Sequence, residues 1–398
     1  MTSSASPSHS APPWLAERLR AAGGAVPFRS FMEWALHDAD HGAYGSGRLQ
    51  VGPRGDFATS PSLGPDFAAL LAPQIAQWLQ QQPLDQSLAL VEAGPGEGDL
   101  ALQLAEQLAV GWPELAARTT LVLIEPNAGM AERQRRRLAA CPLHCLWLSF
   151  EQLSAAPVCG VLLAHEVLDA LAVDRIVWDG DHWRRQLVVL QEGPGAEPLL
   201  RLQPGEPLDP LALAQLEPLG LLPAGQQRQP GWTTELHPAL APWLQMAAAA
   251  LRAGVLLVVD YAHEAWRYYA PQRSNGTLMA YRHQQASDDP LQEPGHWDLT
   301  AHLCIETLEA AAEASGWQPL GQRRQGEALL ALGLAQRLHG LQQQPAAELK
   351  DLLARRETLL RLVDPHTLGD FRWMTFGRAC ATGAKLATPL FLQDPPLG

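Results

Sequence analysis

Apolar residues recur along this chain with two different periods, and the alternation between them outlines a fold. Over 66–80 they fall at Phe67, Leu70, Leu71, Ile75, Trp78 and Leu79, the spacing of one helical face. Short continuous apolar runs follow at 87–92 (SLALVE), 121–125 (LVLIE) and 161–164, and helical spacing returns between them at 99–108 and 128–138. Strand–helix–strand–helix–strand in this order predicts a parallel α/β sheet. Two shorter helical patterns, 14–22 and 31–36, precede it, and 37–54 carries the Gly, Asp and His of a loop.

After residue 170 the rhythm changes. The runs 174–178 and 183–190 flank Asp179-Gly180-Asp181, which predicts a β-hairpin. The stretch 193–231 is rich in Pro, Gly and Gln and reads as an insertion. Helical spacing resumes at 237–252 and leads into 255–260 (VLLVVD), a buried strand. A long polar and aromatic loop, 261–297, comes next, and loops of that length in compact domains tend to be functional or mobile. A helix is expected over 299–315, helical structure over 334–362, and edge strands over 317–322 and 371–376. The expected organisation is a disordered tail at 1–13, a helical N-terminal region with a covering loop at 14–85, and a sheet core built from 86–192 and 232–378. The insertion at 193–231 interrupts that core, and an irregular tail follows at 379–398.

Composition narrows the class of function. The 398 residues are 47% hydrophobic and 18% charged, enough apolar material for a sizeable core. Asp and Glu outnumber Lys and Arg by 42 to 29, a net charge of -13 that repels phosphate backbones and suits a neutral or basic partner. Five cysteines without a CxxC pair argue against a disulfide framework or a structural zinc. The start lacks the basic-then-apolar order of a signal peptide and the Arg-rich face of a transit peptide, and no apolar stretch is long enough for a membrane span. A reducing, cytoplasmic setting is the expectation.

The sharpest chemical signal is Glu92-Ala93-Gly94-Pro95-Gly96-Glu97-Gly98, between the end of a strand and the start of a helix. Glycines there let the backbone turn tightly and approach a ligand. The spacing is GxGxG, Asp99 stands where a dinucleotide fingerprint wants its third glycine, and no Walker GK[ST] is present. With Glu92 just ahead, the turn suits a ligand carrying an amino group and no phosphate, such as S-adenosylmethionine (SAM). The competing reading is an ordinary strand–helix turn.

Glu125, followed by Pro126 and Asn127, ends the next strand, where a carboxylate can accept both hydroxyls of an adenosine ribose. It can equally be a loop acid beside a helix capped by Asn127. Trp147, Leu148 and Ser149 follow a third strand and are candidates for an adenine pocket, although buried tryptophans are usually core. His165, Glu166 and Asp169 gather at the end of the strand at 161–164, the edge where ligands bind in open α/β sheets. Glu166 can hold a cationic amine or guanidinium. Alternatively it caps or pairs structurally, for instance with Arg175.

These motifs together resemble the family of the mitochondrial complex I assembly methyltransferase and its bacterial relatives, often called MidA. The resemblance spans about 31–376. It rests on Phe31-Met32-Glu33, on Gly55-Asp56-Phe57-Ala58-Thr59-Ser60-Pro61, on the glycine turn and on 165–170. Val259-Asp260-Tyr261-Ala262-His263, Gly276-Thr277-Leu278 and Asp298-Leu299-Thr300-Ala301-His302 continue it. It implies a class I SAM-dependent methyltransferase fold, Rossmann-like, with a helical N-terminal region and a large insertion. It also implies methylation of an arginine in a complex I-like core subunit, and places Asp56, Thr59 and Ser60 on a loop covering the cofactor. Locally, that loop reads just as well as a cap ahead of Pro61. The sequence departs from the family at His165 (asparagine in many bacterial relatives), Ala172 (usually proline) and Glu97 (often arginine).

The expected enzyme is therefore a SAM-dependent methyltransferase, with cofactor contacts from Asp56, Thr59, Ser60, Glu92, Gly94, Gly96, Gly98, Glu125, Pro126, Leu148 and Ser149. Glu166, His165 and Asp169 are its candidate catalytic groups, and a protein arginine its acceptor. No metal, nucleic-acid partner or membrane span is expected. His37-Asp38-Ala39-Asp40-His41 has loop rather than ligand-face spacing. Asp260, His263 and Glu264 are candidates to border the substrate. Asp298 reads as a helix N-cap, with His302 four residues on. The alternatives are a methyltransferase for a small molecule or another residue, and an assembly factor that does no chemistry.

Overall fold

The computed structural model describes residues 9–52, 55–83, 86–193, 196–222, 228–343, 349–378 and 386–396. The chain folds as two compact units. One comprises 51–168, 241–262 and 309–398, and the other 1–50, 169–240 and 263–308.

The first unit is built on a seven-stranded sheet. Its strands are β1 (Leu88–Ala93), β2 (Thr119–Ile124), β3 (His144–Trp147), β4 (Val158–His165), β5 (Leu251–Asp260), β6 (Gln318–Arg324) and β7 (Arg372–Arg378). Their order across the sheet is 3-2-1-4-5-7-6. β1 to β5 run parallel, and β7 lies antiparallel to both β5 and β6. This is the class I methyltransferase sheet. Every residue of β1 is buried, and so are all but the first of β4, as expected of parallel strands covered on both faces. Helices α1 (Asp66–Gln80) and α2 (Asp99–Gly111) supply apolar faces to that core, and α3 (Ala128–Arg137) follows β2. The order reverses between β1 and β4, so the loops after these two strands mark the place where open α/β sheets bind ligands.

The second unit carries an antiparallel sheet, ordered His9–Ser10, Leu199–Pro207, Trp183–Gln191, Asp174–Trp178 and Thr233–Leu236, with Ala25–Pro27 pairing Trp183–Gln191. A three-stranded sheet of Met279–Arg282, Gln285–Ser287 and Asp298–Thr300 accompanies it. Two apolar clusters fill this unit.

Several expectations are corrected by tertiary pairing. Residues 9–13, expected in a disordered tail, hold a strand paired with Leu199 and Leu200 and the first residue of helix Pro13–Ala21; residues 1–8 lie outside the described ones. Within the expected insertion, Leu199–Pro207 is a nine-residue strand, while 194–195 and 223–227 lie outside the described residues. The segment 261–297 contains three short strands, Ala262–His263, Met279–Arg282 and Gln285–Ser287, and the helix Ala265–Tyr268 rather than loop alone. The helix expected from 299 starts only at Ile305, because Asp298–Thr300 pairs with Met279–Tyr281; Asp298 is therefore a strand residue and not an N-cap. β7 is interior rather than an edge strand. In the expected irregular C-terminal tail, Phe391 is fully buried against Trp78 and Trp373; 379–385 and 397–398 lie outside the described residues.

Candidate functional site

β1 ends in Glu92 and Ala93, and the chain turns through Gly94, Gly96 and Gly98, all at positive φ (61°, 53° and 85°). The three glycines differ in purpose. A Cβ added to Gly96 would meet only Val51 Cγ2 at 3.8 Å, which leaves open space above that backbone. At Gly98 the same Cβ would lie 2.7 Å from Leu138 Cδ1, so this glycine seats α2 against its neighbour. At Gly94 it would strike Val167 Cγ2 at 2.8 Å, so the turn packs against the loop after β4.

Glu92 is 4% exposed, and its Oε2 has no hydrogen-bond partner. Burial, with Asp99 adding repulsion, pushes its pKa up to about 8, against the pull of the Ala101 backbone N–H. A buried carboxylate oxygen without a donor fits a ligand ammonium group. At the end of β2, Glu125 Oε1 accepts the Asn127 N–H at 2.8 Å and Oε2 accepts from Gln134 Nε2 at 3.0 Å. Burial raises the Glu125 pKa. A carboxylate has about four acceptor positions, so two remain for hydroxyl groups. Asn127 itself caps α3 by accepting from Met130 N–H. Pro126 is exposed.

Beyond β3 the sequence expectation meets competition. Ser149 Oγ caps helix Phe150–Ala155 in a capping box with Gln152, accepting the Gln152 N–H while its own N–H donates to Gln152 Oε1. Leu148 donates its N–H to the Leu123 carbonyl and is half-buried. Trp147 donates from Nε1 to Gln134 Oε1 at 3.0 Å, under the Arg135 guanidinium. On the loop at 55–61, expected to cover the cofactor, Asp56 is 7% exposed, but Ser60 is fully buried and bonded to Gln325. Thr59 donates its backbone N–H to Ser62 Oγ.

The third group stands after β4. Glu166 is at φ 54°, a left-handed conformation that costs a residue with a Cβ free energy, and such residues cluster at functional sites. Its N–H donates to the Val259 carbonyl at 2.9 Å. Asp260, fully buried at the end of β5, accepts the Leu168 N–H on Oδ2 at 3.0 Å and the Tyr261 N–H on Oδ1. Asp260 thus fixes the loop that presents Glu166. His165 Nδ1 lies 3.5 Å from Glu166 Oε1. The ring packs edge-on against Phe67, and burial pulls its pKa down to about 4, so the imidazole is neutral. Asp169 belongs to the second unit, where its carbonyl accepts the Ala301 N–H and burial pushes its carboxyl up to about 7.

In the second unit His302 Nδ1 and His263 Nε2 are 3.2 Å apart, and Asp38, Asp40 and His41 cluster where Asp38 Oδ1 accepts the N–H groups of Asp40 and His41. Those bonds form a turn at 38–41, while His37 closes the helix Phe28–His37.

The residue that sequence reading missed is Gln134. It is fully buried on α3 and touches the glycine turn, Glu125 and Trp147 at once. Its signal was a polar residue on the face set by Met130, Ala131 and Leu138, where an apolar one is expected. α3 also reaches the glycine turn through Arg133–Glu97 and Arg137–Asp99 ion pairs.

Comparison with known proteins agrees with this geometry. A family model described as "Putative S-adenosyl-L-methionine-dependent methyltransferase" matches residues 70–323. A mitochondrial protein arginine methyltransferase NDUFAF7 homolog of Drosophila melanogaster is 27% identical over 361 residues, covering 81% of this chain and 78% of its own. The protein arginine methyltransferase NDUFAF7 of Xenopus tropicalis, also mitochondrial, is 26% identical and covers 72% of this chain and 67% of its own. A crystal structure of a Burkholderia thailandensis protein bound to S-adenosyl-homocysteine superposes with a TM-score of 0.82 at 27% identity, covering 96% and 94% of the two chains. The curated relatives are named as mitochondrial, which overturns the cytoplasmic expectation drawn from cysteine usage and the N-terminal pattern. Among the described residues no helix is long and apolar enough to cross a membrane.

Proposed function

This chain belongs to the family of S-adenosyl-L-methionine-dependent methyltransferases, and we propose that the group it methylates is an arginine side chain of a protein. SAM supplies a methyl group on a sulfonium. Glu92 would take the ammonium of its methionine moiety, Glu125 the ribose hydroxyls, and the open backbone at Gly96 would let the cofactor lie close. Ser60, with its hydroxyl committed inside the fold, drops out of the proposed contact set, Ser149 keeps a free O–H donor at an exposed position, and Gly98 serves packing.

The observation that carries the arginine reading is Glu166. It is held in a left-handed conformation by bonds from β5, on the sheet edge where the glycine turn also ends, with a side chain only 12% exposed. Guanidinium is a weak nucleophile because its charge is delocalised. A fixed carboxylate would orient it, localise the charge on the bonded nitrogens and leave the remaining one facing the methyl. Neutral His165 beside it adds no competing positive charge. The names of the NDUFAF7 relatives and the net charge of -13 support a basic protein substrate, and the family resemblance points to a complex I-like subunit.

Glu166→Gln tests this. It keeps the shape and removes the charge. Methyl transfer to an arginine-bearing substrate should fall at least about tenfold, roughly 1.4 kcal/mol on the barrier. The S-adenosylhomocysteine dissociation constant should stay as it is. Normal turnover in the folded variant refutes the clamp.

A further inference from the structure

We infer that Gln134 is the positioning residue of the cofactor site, setting the spacing of the glycine turn, the ribose carboxylate and the adenine edge. The inference rests on the proposed role of Glu125. One amide serves three segments. Nε2 donates to the Gly96 carbonyl at 2.8 Å and to Glu125 Oε2 at 3.0 Å, while Oε1 accepts from Trp147 Nε1 at 3.0 Å.

The chemistry allows only this orientation. Indole N–H is a donor only, so it must face the amide oxygen. The Gly96 carbonyl and an ionised Glu125 are acceptors only, so they must face the amide nitrogen. Glutamine is the one side chain of this length with both donors and an acceptor in that arrangement. Glutamate would set a carboxylate against Glu125, and leucine would remove the partner of a half-buried indole N–H and of a half-buried carbonyl.

The position also explains why the three strand ends need a tie. Gly96 is on a turn with open space above it, Glu125 is on the loop after β2, and Trp147 is at the end of edge strand β3. Backbone bonds join only the roots of these loops, Gly94 N–H to the Ile124 carbonyl and Leu148 N–H to the Leu123 carbonyl, and Gln134 adds a side-chain tie further out. α3 runs past all three, and Gln134 is fully buried at its inner face. Fixing Glu125 Oε2 directs the remaining acceptor positions of that carboxylate, and fixing the Gly96 carbonyl holds the turn at its positive φ.

The test uses calorimetric titration of the full chain with S-adenosylhomocysteine, alongside thermal melts without ligand. Gln134→Leu should weaken binding at least tenfold, and Gln134→Glu more. In a Glu125→Ala background the Gln134→Leu loss should shrink, because no ribose carboxylate remains to be placed; a purely structural role would give the same loss in both backgrounds. KM for SAM should rise, with kcat at saturation kept within a few fold. If Gln134→Leu does not fold, Gln134→Glu is judged by the same measures. Wild-type affinity in a folded Gln134 variant, or an undiminished loss on Glu125→Ala, overturns the inference. If Glu125→Ala alone leaves affinity unchanged, the ribose reading beneath it fails, and that outcome is distinct from a Gln134 failure with Glu125 intact.

Discussion

Two buried glutamates, one in each unit, illustrate how alike residues come to differ. Glu235 is fully buried on strand Thr233–Leu236 and surrounded by donors. Its Oε2 accepts from Thr277 N–H at 2.9 Å, from Thr277 Oγ1 and from Tyr268 OH, and the Arg175 guanidinium lies 3.5 Å from Oε1. Glu92 is almost as deeply buried, its Oε2 has no donor, and another acid, Asp99, repels it. Each acid has one buried oxygen without a hydrogen bond, but Glu235 Oε1 faces the Arg175 cation whereas Glu92 is repelled by Asp99, an arrangement that suits a ligand cation. Neither burial nor a missing hydrogen bond separates the two acids; the sign of the charge beside them does.

The comparison is most strongly challenged by removing Glu235. Glu235→Ala leaves Arg175 buried and without its counter-charge, a change that costs about 3–5 kcal/mol. Urea denaturation should show it, and the folded fraction should bind S-adenosylhomocysteine normally. A stable Glu235→Ala protein that has lost methyl transfer would make the second network functional and dissolve the contrast.

Gly96→Val comes next. A β-branched residue at φ 53° is strained by about 1–2 kcal/mol, and its side chain fills the space over the turn. S-adenosylhomocysteine affinity should fall at least about a hundredfold, roughly 2.7 kcal/mol, with the protein still folded. Binding at wild-type strength would show that the open space is not where the cofactor lies.

Glu92→Gln gives the smallest change and the sharpest contrast. Its folded-state pKa of about 8 lies above the ordinary 4.5, so its ionisation opposes folding. The stability it contributes is complete below about pH 4.5 and is lost as pH rises through about 8. The glutamine variant should therefore melt higher than wild type at pH 8 without ligand, while binding S-adenosylhomocysteine about tenfold more weakly, ~1.4 kcal/mol. Wild-type binding at pH 7 should release a proton, seen as a calorimetric enthalpy that varies with the buffer. Unchanged affinity and no buffer dependence would place Glu92 with Glu235 as an acid of the fold.

How much of this was legible in one dimension follows from which interactions are local. The parallel core was readable because β1, β2, β4 and β5 are buried on both faces and so appear as unbroken apolar runs, with helical spacing between β1, β2 and β3. The glycine turn was readable because positive φ at Gly94, Gly96 and Gly98 demands glycine in the sequence itself. Glu125 and Glu166 were singled out by the rule that strand ends carry ligand groups, and both stand just past strand ends. Strands that depend on distant partners were harder. Leu199–Pro207 pairs with Trp183–Gln191 and with His9–Ser10, and its Pro, Gly and charged residues hide it in a composition that looks like a loop. Asp298–Thr300 is a strand only because Met279–Tyr281 lies beside it.

The sequence by itself determined the alternation of strand and helix, the glycine turn, the acids at the strand ends and the family, because each depends on residues close together in the chain. Tertiary structure alone decided which of those acids keeps an unsatisfied oxygen, that Ser60 spends its hydroxyl inside the fold, and that Asp169 falls in the other unit. It alone brought Gln134, 38 residues from Gly96 and 13 from Trp147, within hydrogen-bond reach of both. The reason is physical: a side chain's donors and acceptors are fixed by its identity, but whether they are satisfied depends on groups that only folding brings within 3 Å.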